Sequence, residues 1–160
     1  MQKALVSTVP KRIAADAERH FKQSFRDQGF TNSSLVKWAP TKKGKPGRVL
    51  KKSGLLFNSI RIVRAEWNGI QLTAGGPHVP YAQIHNEGGT INRQVTRREH
   101  FRKGGPVRTR RGTVQRKGGL VKRHQARMNV HIRKRQFMGR SVVLENTMRL
   151  TIINTIKAAQ

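Results

Sequence analysis

Ile60-Arg61-Ile62-Val63-Arg64-Ala65-Glu66-Trp67-Asn68-Gly69-Ile70-Gln71-Leu72-Thr73-Ala74 reads as a β-hairpin. Ile60 and Ile62 share one face of the first strand, Ile60–Glu66. Asn68-Gly69 is the strongest short-range hairpin signal, because both central residues of such a turn need positive φ. Ile70–Ala74 is the return strand, and Gly75-Gly76-Pro77 ends it. On the N-terminal side, Leu50–Ser59 reads as a short helix around Leu55 and Leu56, weakened by Gly54. Thr31–Val49 is loop-like, with Pro40, Gly44, Pro46 and Gly47. Trp38 stands alone in it, and Lys42, Lys43, Lys45 and Arg48 surround the turns. On the C-terminal side, Tyr81–Glu87 gives one or two helical turns stopped by Gly88-Gly89. Asn129–Ile132 is short and strand-like.

Two longer helices bracket these elements. Over Thr8–Gln28, Ile13, Ala17, Phe21 and Phe25 recur at i+4 and form one apolar stripe, with Ala14 beside it. Ser7 or Thr8 can cap its start, Pro10 fits the first turn, and Gly29 suits the left-handed residue after its end. Over Ser141–Ala159 the stripe is Leu144, Met148, Ile152 and Ile156, with Ile153 alongside and Ser141 as N-cap. The expected fold class is α+β: a small antiparallel sheet packed by N-terminal and C-terminal amphipathic helices.

The 160 residues suit a single domain, 1–160. Lys and Arg number 34 against 7 Asp and Glu, a formal charge of +27. Leu, Ile, Val and Phe make up 24%, enough for a small core. The absence of cysteine excludes disulfides, thiolate zinc sites, Fe–S clusters and thiol nucleophiles. No apolar run is long enough to span a membrane, and Met1–Pro10 is too short and weakly apolar for a signal peptide. The protein is expected to act where it is made, or inside an assembly built there.

So much positive charge opposes compaction and calls for an acidic partner. The charge is concentrated. Asn92–Met128 holds 13 Lys or Arg, one acid (Glu99), five glycines and only six of the Leu, Ile, Val and Phe residues. That stretch cannot bury enough to offset its ordering entropy, so it reads as an inserted basic arm, a long loop or extended hairpin. Its candidate contacts with nucleic acid or an acidic partner are Arg93, Arg97, Arg98, Arg102, Lys103, Arg108, Arg110, Arg111, Arg116, Lys117, Lys122 and Arg123. Phe101 is its one aromatic, so binding through the phosphate backbone fits better than base stacking.

Signals for catalysis are weak. Seven acids form no metal-binding motif. Asp16 and Glu18, two apart, do not share a helix face and read as acids near the positive end of the helix dipole. His78, His85 and Glu87 match no zinc spacing. Ser53-Gly54 lacks the G-x-S-x-G pattern and reads as a cap or turn, and the 43–48 run is not a P-loop. No enzyme activity, metal or cofactor is expected.

Three separated stretches carry a resemblance. The first is Trp38-Ala39-Pro40 followed by Leu50-x-x-Ser53-Gly54-x-Leu56-x-x-Ser59. The second is Tyr81-Ala82-x-x-His85-x-x-Gly88. The third is Arg135-x-Phe137-Met138-Gly139, just before the last helix. In this order they resemble the virion morphogenesis, or tail-completion, proteins of Mu-like and P2-like tailed phages. Where those proteins carry Pro-Ala before the arginine, this chain has Arg133-Lys134. The resemblance implies a non-enzymatic neck component, located in the virion at the head–tail junction and assembled in the bacterial cytoplasm. It implies a homo-oligomeric ring, expected as a hexamer, around the DNA channel. The partners it implies are head connector or portal-associated proteins and tail tube or terminator proteins, with phosphate-backbone contact to packaged DNA and no membrane. Trp38, Pro40, Ser53, Gly54, Leu56, Ser59, Tyr81, Ala82, His85, Gly88, Arg135, Phe137 and Gly139 then hold the fold together, with the His85–Gly89 turn also lining a subunit interface. The competing class is a sequence-nonspecific nucleic-acid-binding module, ribosomal-protein-like, with a basic extension.

Overall fold

The computed structural model describes residues 2–41, 49–51 and 53–158. The basic loop with Lys42, Lys43, Lys45 and Arg48 lies outside the described residues, as does Ala159 at the end of the expected last helix. The fold is α+β. The chain divides into two units: Met1–Gly89 with Ile132–Gln160, the body, and Thr90–His131.

In the body, helix α1 spans Gln2–Asp27. It begins earlier than expected, so Pro10 lies inside the helix and not in its first turn. An interior proline removes one N–H from the helical ladder. Here Val9 and Pro10 are both buried, and with Trp67 and Ile152 they line a cleft of about 320 Å³. That apolar contact favours keeping the segment helical. Ala14, Ala17, Phe21 and Phe25 are buried on the expected stripe, while Ile13 is half-buried. The left-handed residue after α1 is Gln28 (φ 54°), not Gly29. The Gln28 side-chain amide donates to the Phe25 carbonyl at 2.7 Å, and its Oε1 accepts from the Val49 N–H. The first bond serves a carbonyl that the helix end would otherwise leave unpaired, and the second ties the 49–51 segment to it.

Strands β1 (Gly29–Thr31) and β2 (Leu35–Lys37) form an antiparallel hairpin where a loop was expected. Helix α2 is Leu55–Asn58, with Leu56 buried. Strands β3 (Arg61–Glu66) and β4 (Gly69–Thr73) pair as a hairpin, with an irregularity between Ile62 and Arg64. Glu66 pairs with Gly69, however, so the two-residue loop is Trp67-Asn68, and neither Asn68 nor Gly69 has the positive φ expected of an Asn-Gly turn. Ile60, just ahead of β3, is 1% exposed. Helix α3 is Ala82–Glu87. Helix α4 is Val142–Lys157, and the Ser141 hydroxyl caps it by accepting from the Leu144 N–H.

Two expectations are corrected. The described residues of the body form two separate two-stranded sheets, β1–β2 and β3–β4, and not one common sheet. Both lie against α1, which acts as the shared layer. On α4, Leu144 and Thr155 are buried, whereas Ile153 and Ile156 are exposed. Burial of Thr155 is tolerated because its hydroxyl donates to the Thr151 carbonyl and accepts from Arg12 of α1. Asp16, expected near the helix dipole, sits mid-helix. It accepts from Thr151 at 2.6 Å and pairs with Arg19 at 3.1 Å, while Glu18 pairs with Lys22.

One core joins these elements: Ala17, Phe21, Phe25, Phe30, Leu56, Ile60, Val79, Ala82, Phe137 and Leu144. Phe25 is its centre. The rings of Trp38, Phe57 and Phe137 lie 5.4, 5.8 and 5.3 Å from it.

The Thr90–His131 unit is a β-ribbon. Strand β5 (Gly89–Arg97) pairs with β10 (His124–Ile132), β6 (His100–Arg102) with β9 (Gly119–Val121), and β7 (Gly105–Thr109) with β8 (Gly112–Arg116). The expected arm at Asn92–Met128 is therefore a succession of paired strands, and the short strand expected at Asn129–Ile132 is the end of the nine-residue β10. Backbone groups that would be unpaired in a loop find partners across the ribbon. Phe101 sits opposite Leu120, and Val107 opposite Val114.

Candidate functional site

The three stretches that carry the resemblance meet in the body. Trp38 follows β2, and its indole N–H donates to the Gln136 carbonyl at 2.7 Å. Arg135 donates from Nε and Nη2 to the Ala39 carbonyl, at 3.3 and 3.2 Å. The Arg135 N–H donates to the His85 carbonyl at 2.8 Å. Asn86 of α3 accepts from the N–H groups of both Phe137 and Met138, at 2.9 and 3.0 Å. So α3, the 38–40 segment and the 135–138 segment are wired together through backbone groups. The wiring passes over the apolar residues Leu56, Ala82 and Phe137, all buried.

The other motif residues serve the same frame. The Ser53 hydroxyl accepts from the Leu55 N–H at 3.4 Å, a turn role. Gly54 is the first residue of the α2 turn, at φ 74°. The Ser59 hydroxyl donates to the Leu56 carbonyl and accepts from the Gly75 N–H, tying α2 to the end of β4. Tyr81 and His85 meet edge-to-face at 5.7 Å, as their i, i+4 spacing predicts. Gly88 packs against the backbone of Lys134, and Gly139 has φ 148° beside Gln136. Pro40 is exposed. Sequence reasoning missed Asn86, Gln136 and Gln28 as connectors. For Asn86 there was a signal, since asparagine is a poor residue within a helix and competes for backbone groups.

Burial, and then the positive charge of Arg135, lower the His85 pKa below its ordinary value of 6.5. Its Nδ1 is sealed from solvent with no hydrogen-bond partner among the described residues. Burial likewise lowers His20, opposed by its bond to the Thr31 carbonyl and by Asp27. Arg135 is itself lowered, by burial and then by Arg133, yet its ordinary range lies so high that it stays a cation. The unfolded chain thus binds more protons than the folded one as pH falls through 6.5, so stability drops in that window. Between about pH 7.5 and pH 5.5 the parent should lose more melting temperature than His85→Gln does. Equal losses in the two would show that His85 titrates alike folded and unfolded. Shared carboxylates cancel in that comparison.

The ribbon carries a different kind of surface. Arg93, Arg97, Arg98, Arg102, Lys103, Arg108, Arg110, Arg111, Arg116, Lys117, Lys122 and Arg123 are all exposed, and none joins an ion pair among the described residues. Thr90 contacts His131, so even positions of β5 share a face with odd positions of β10. That face carries Asn92, Gln94, Arg127 and Asn129, which line a polar recess of about 390 Å³.

Among the described residues no group of three or more His, Asp or Glu is placed to hold a metal. No helix among them is long and apolar enough to cross a membrane. Comparison of the chain with protein-family models, with curated proteins and with solved structures finds no match.

Proposed function

We propose that this protein is a structural, non-enzymatic component of a tailed-phage neck, completing the tail or joining head to tail as a ring subunit around the DNA channel. One observation carries the reading. The three stretches that resemble the tail-completion family are far apart in sequence, yet Trp38, Arg135, His85, Asn86 and Phe137 converge in one hydrogen-bonded frame over the core. Independent weak matches scattered by chance would have no reason to meet. The cationic ribbon supports the same reading. A ring multiplies +27 per subunit, which favours packaged DNA or acidic connector and tail subunits as neighbours. In this reading the ribbon cations touch such a neighbour and the body carries the ring contacts.

A nonsense codon in this gene of the producing phage is expected to leave filled heads beside separate tails in electron micrographs of the lysate. Intact infectious particles would overturn the neck reading. The sequence-nonspecific nucleic-acid-binding module would then take its place, because the exposed, unpaired arginines and lysines of the ribbon suit phosphate contact without base recognition.

A further inference from the structure

We infer that the groove between the β1–β2 hairpin and residues 134–140 docks an acidic segment of another protein. It is a cavity of about 500 Å³, lined chiefly by Phe30, Val36, Trp38, Lys37, Lys134 and Arg140. Its floor is apolar, and Val36 there is 66% exposed. Among the described residues no carboxylate lines it. Lys37 and Lys134 join no ion pair among the described residues, and Arg140, which pairs with Glu145, keeps most of its side chain in solvent. Among the described residues strand β2 pairs with β1 alone, which leaves its other edge with backbone N–H and C=O groups that pair with no described strand. An extended chain can add to such an edge, taking affinity from the backbone and specificity from side-chain contacts.

Charge complementarity chooses the occupant. The cations call for carboxylates or phosphates, and the exposed Val36 calls for an aliphatic or aromatic anchor. A second copy of this chain fits poorly. Its seven acids are dispersed, and each approaching copy brings +27. A nucleic acid would satisfy the cations but not cover the aliphatic floor. It would also find one half-buried ring to stack on, Trp38, since Phe30 is 5% exposed. An acidic protein segment with one or two apolar anchors meets both demands. The docking surface stands apart from the neck reading, and losing it would leave that reading to its own experiment.

The test uses the full chain and a fluorescein-labelled heptapeptide in which aspartates and glutamates flank one leucine and one phenylalanine. Binding is followed by anisotropy at near-physiological salt. The Lys37→Glu/Lys134→Glu variant should weaken binding about tenfold or more. Lys11→Glu/Arg149→Glu, at two exposed cations that line neither the groove nor the ribbon, makes the same change in net charge and should weaken it by less than about threefold. Val36→Ser should weaken the heptapeptide but not a control peptide whose leucine and phenylalanine are serine. Equal losses in the two charge-reversed variants would overturn the site, because general attraction would then explain the binding. A single-stranded oligonucleotide that displaces the peptide, and loses its own binding on Lys37→Glu/Lys134→Glu, would overturn it in favour of nucleic acid.

Discussion

Replacing Phe25 with alanine is expected to unfold the body, or to lower its melting temperature by about 15 °C or more. Phe25 is 0% exposed and sits where α1, the segment after β2, α2 and the segment before α4 meet. Truncating a buried phenylalanine costs about 3–5 kcal/mol through lost transfer energy and the cavity left behind. Three aromatic neighbours would also lose an edge-to-face or tilted partner, each such pair contributing about 0.5–1.5 kcal/mol beyond area. Whole domains are stable by only about 5–15 kcal/mol, and a chain of charge +27 has self-repulsion to overcome as well. Collapse could recover little, because the surrounding side chains belong to four different segments. Phe25→Leu keeps most of the volume and is expected to fold with a modest loss. Thermal unfolding by circular dichroism of parent, Phe25→Ala and Phe25→Leu reads both. A Phe25→Ala loss below about 1 kcal/mol would mean that the aromatic cluster is not the centre of the core.

Phe25 also shows which parts of this fold could be read from the sequence. Its burial was legible, because Ala17, Phe21 and Phe25 repeat at helical spacing within one element. So was the β3–β4 hairpin, although its loop is Trp67-Asn68, one residue before the Asn68-Gly69 turn that the sequence suggests. Ser141 marked the start of α4 for the same local reason. Trp38 was not legible as a core partner. It follows a three-residue strand whose residues are all exposed, which leaves no alternating pattern, and its hydrogen-bond partner Gln136 is 98 residues away. Pro10 misplaced the start of α1 because the contacts that accommodate it come from Trp67 and Ile152. On α4, apolar periodicity favoured Ile156 over Thr155, but Arg12 and the Thr151 carbonyl satisfy the threonine hydroxyl and let it turn inward. The candidate site divides in the same way. Its short segments were recognisable one at a time, and the Tyr81–His85 contact followed from spacing. The bonds from Arg135 to Ala39 and from Asn86 to Phe137 join residues 96 and 51 positions apart, which no local pattern encodes.

Gly88→Ala is the second substitution expected to act strongly, and it acts without touching an apolar side chain. Gly88 has φ 80° and ψ 173°, a region almost reserved for glycine and costing a residue with a Cβ about 1–3 kcal/mol. A Cβ there would also lie 2.9 Å from the Lys134 nitrogen and 3.1 Å from its Cα. These are backbone atoms, and they cannot swing aside as a lysine tip could. The neighbouring Arg135 N–H is bonded to the His85 carbonyl, and Asn86 holds the N–H groups of Phe137 and Met138. Moving Lys134 to admit the methyl group therefore strains three hydrogen bonds that join α3 to the segment before α4. Strain and crowding of this kind cost about 1–3 kcal/mol in addition to the backbone term. The total, about 2–6 kcal/mol, approaches that of a core truncation. A contrasting substitution separates this from a general sensitivity of glycines. Gly76 has φ 134°, so Gly76→Ala carries the backbone cost, but nothing lies within 4 Å of the added Cβ. Gly88→Ala should lower the melting temperature by clearly more than Gly76→Ala does. It should also raise amide exchange at Arg135, Phe137 and Met138, while Gly76→Ala leaves those amides protected. Equal melting temperatures with unchanged exchange would mean that the turn after α3 does not clamp the 135–138 segment, and the convergence of the three stretches would then be contact without mutual support.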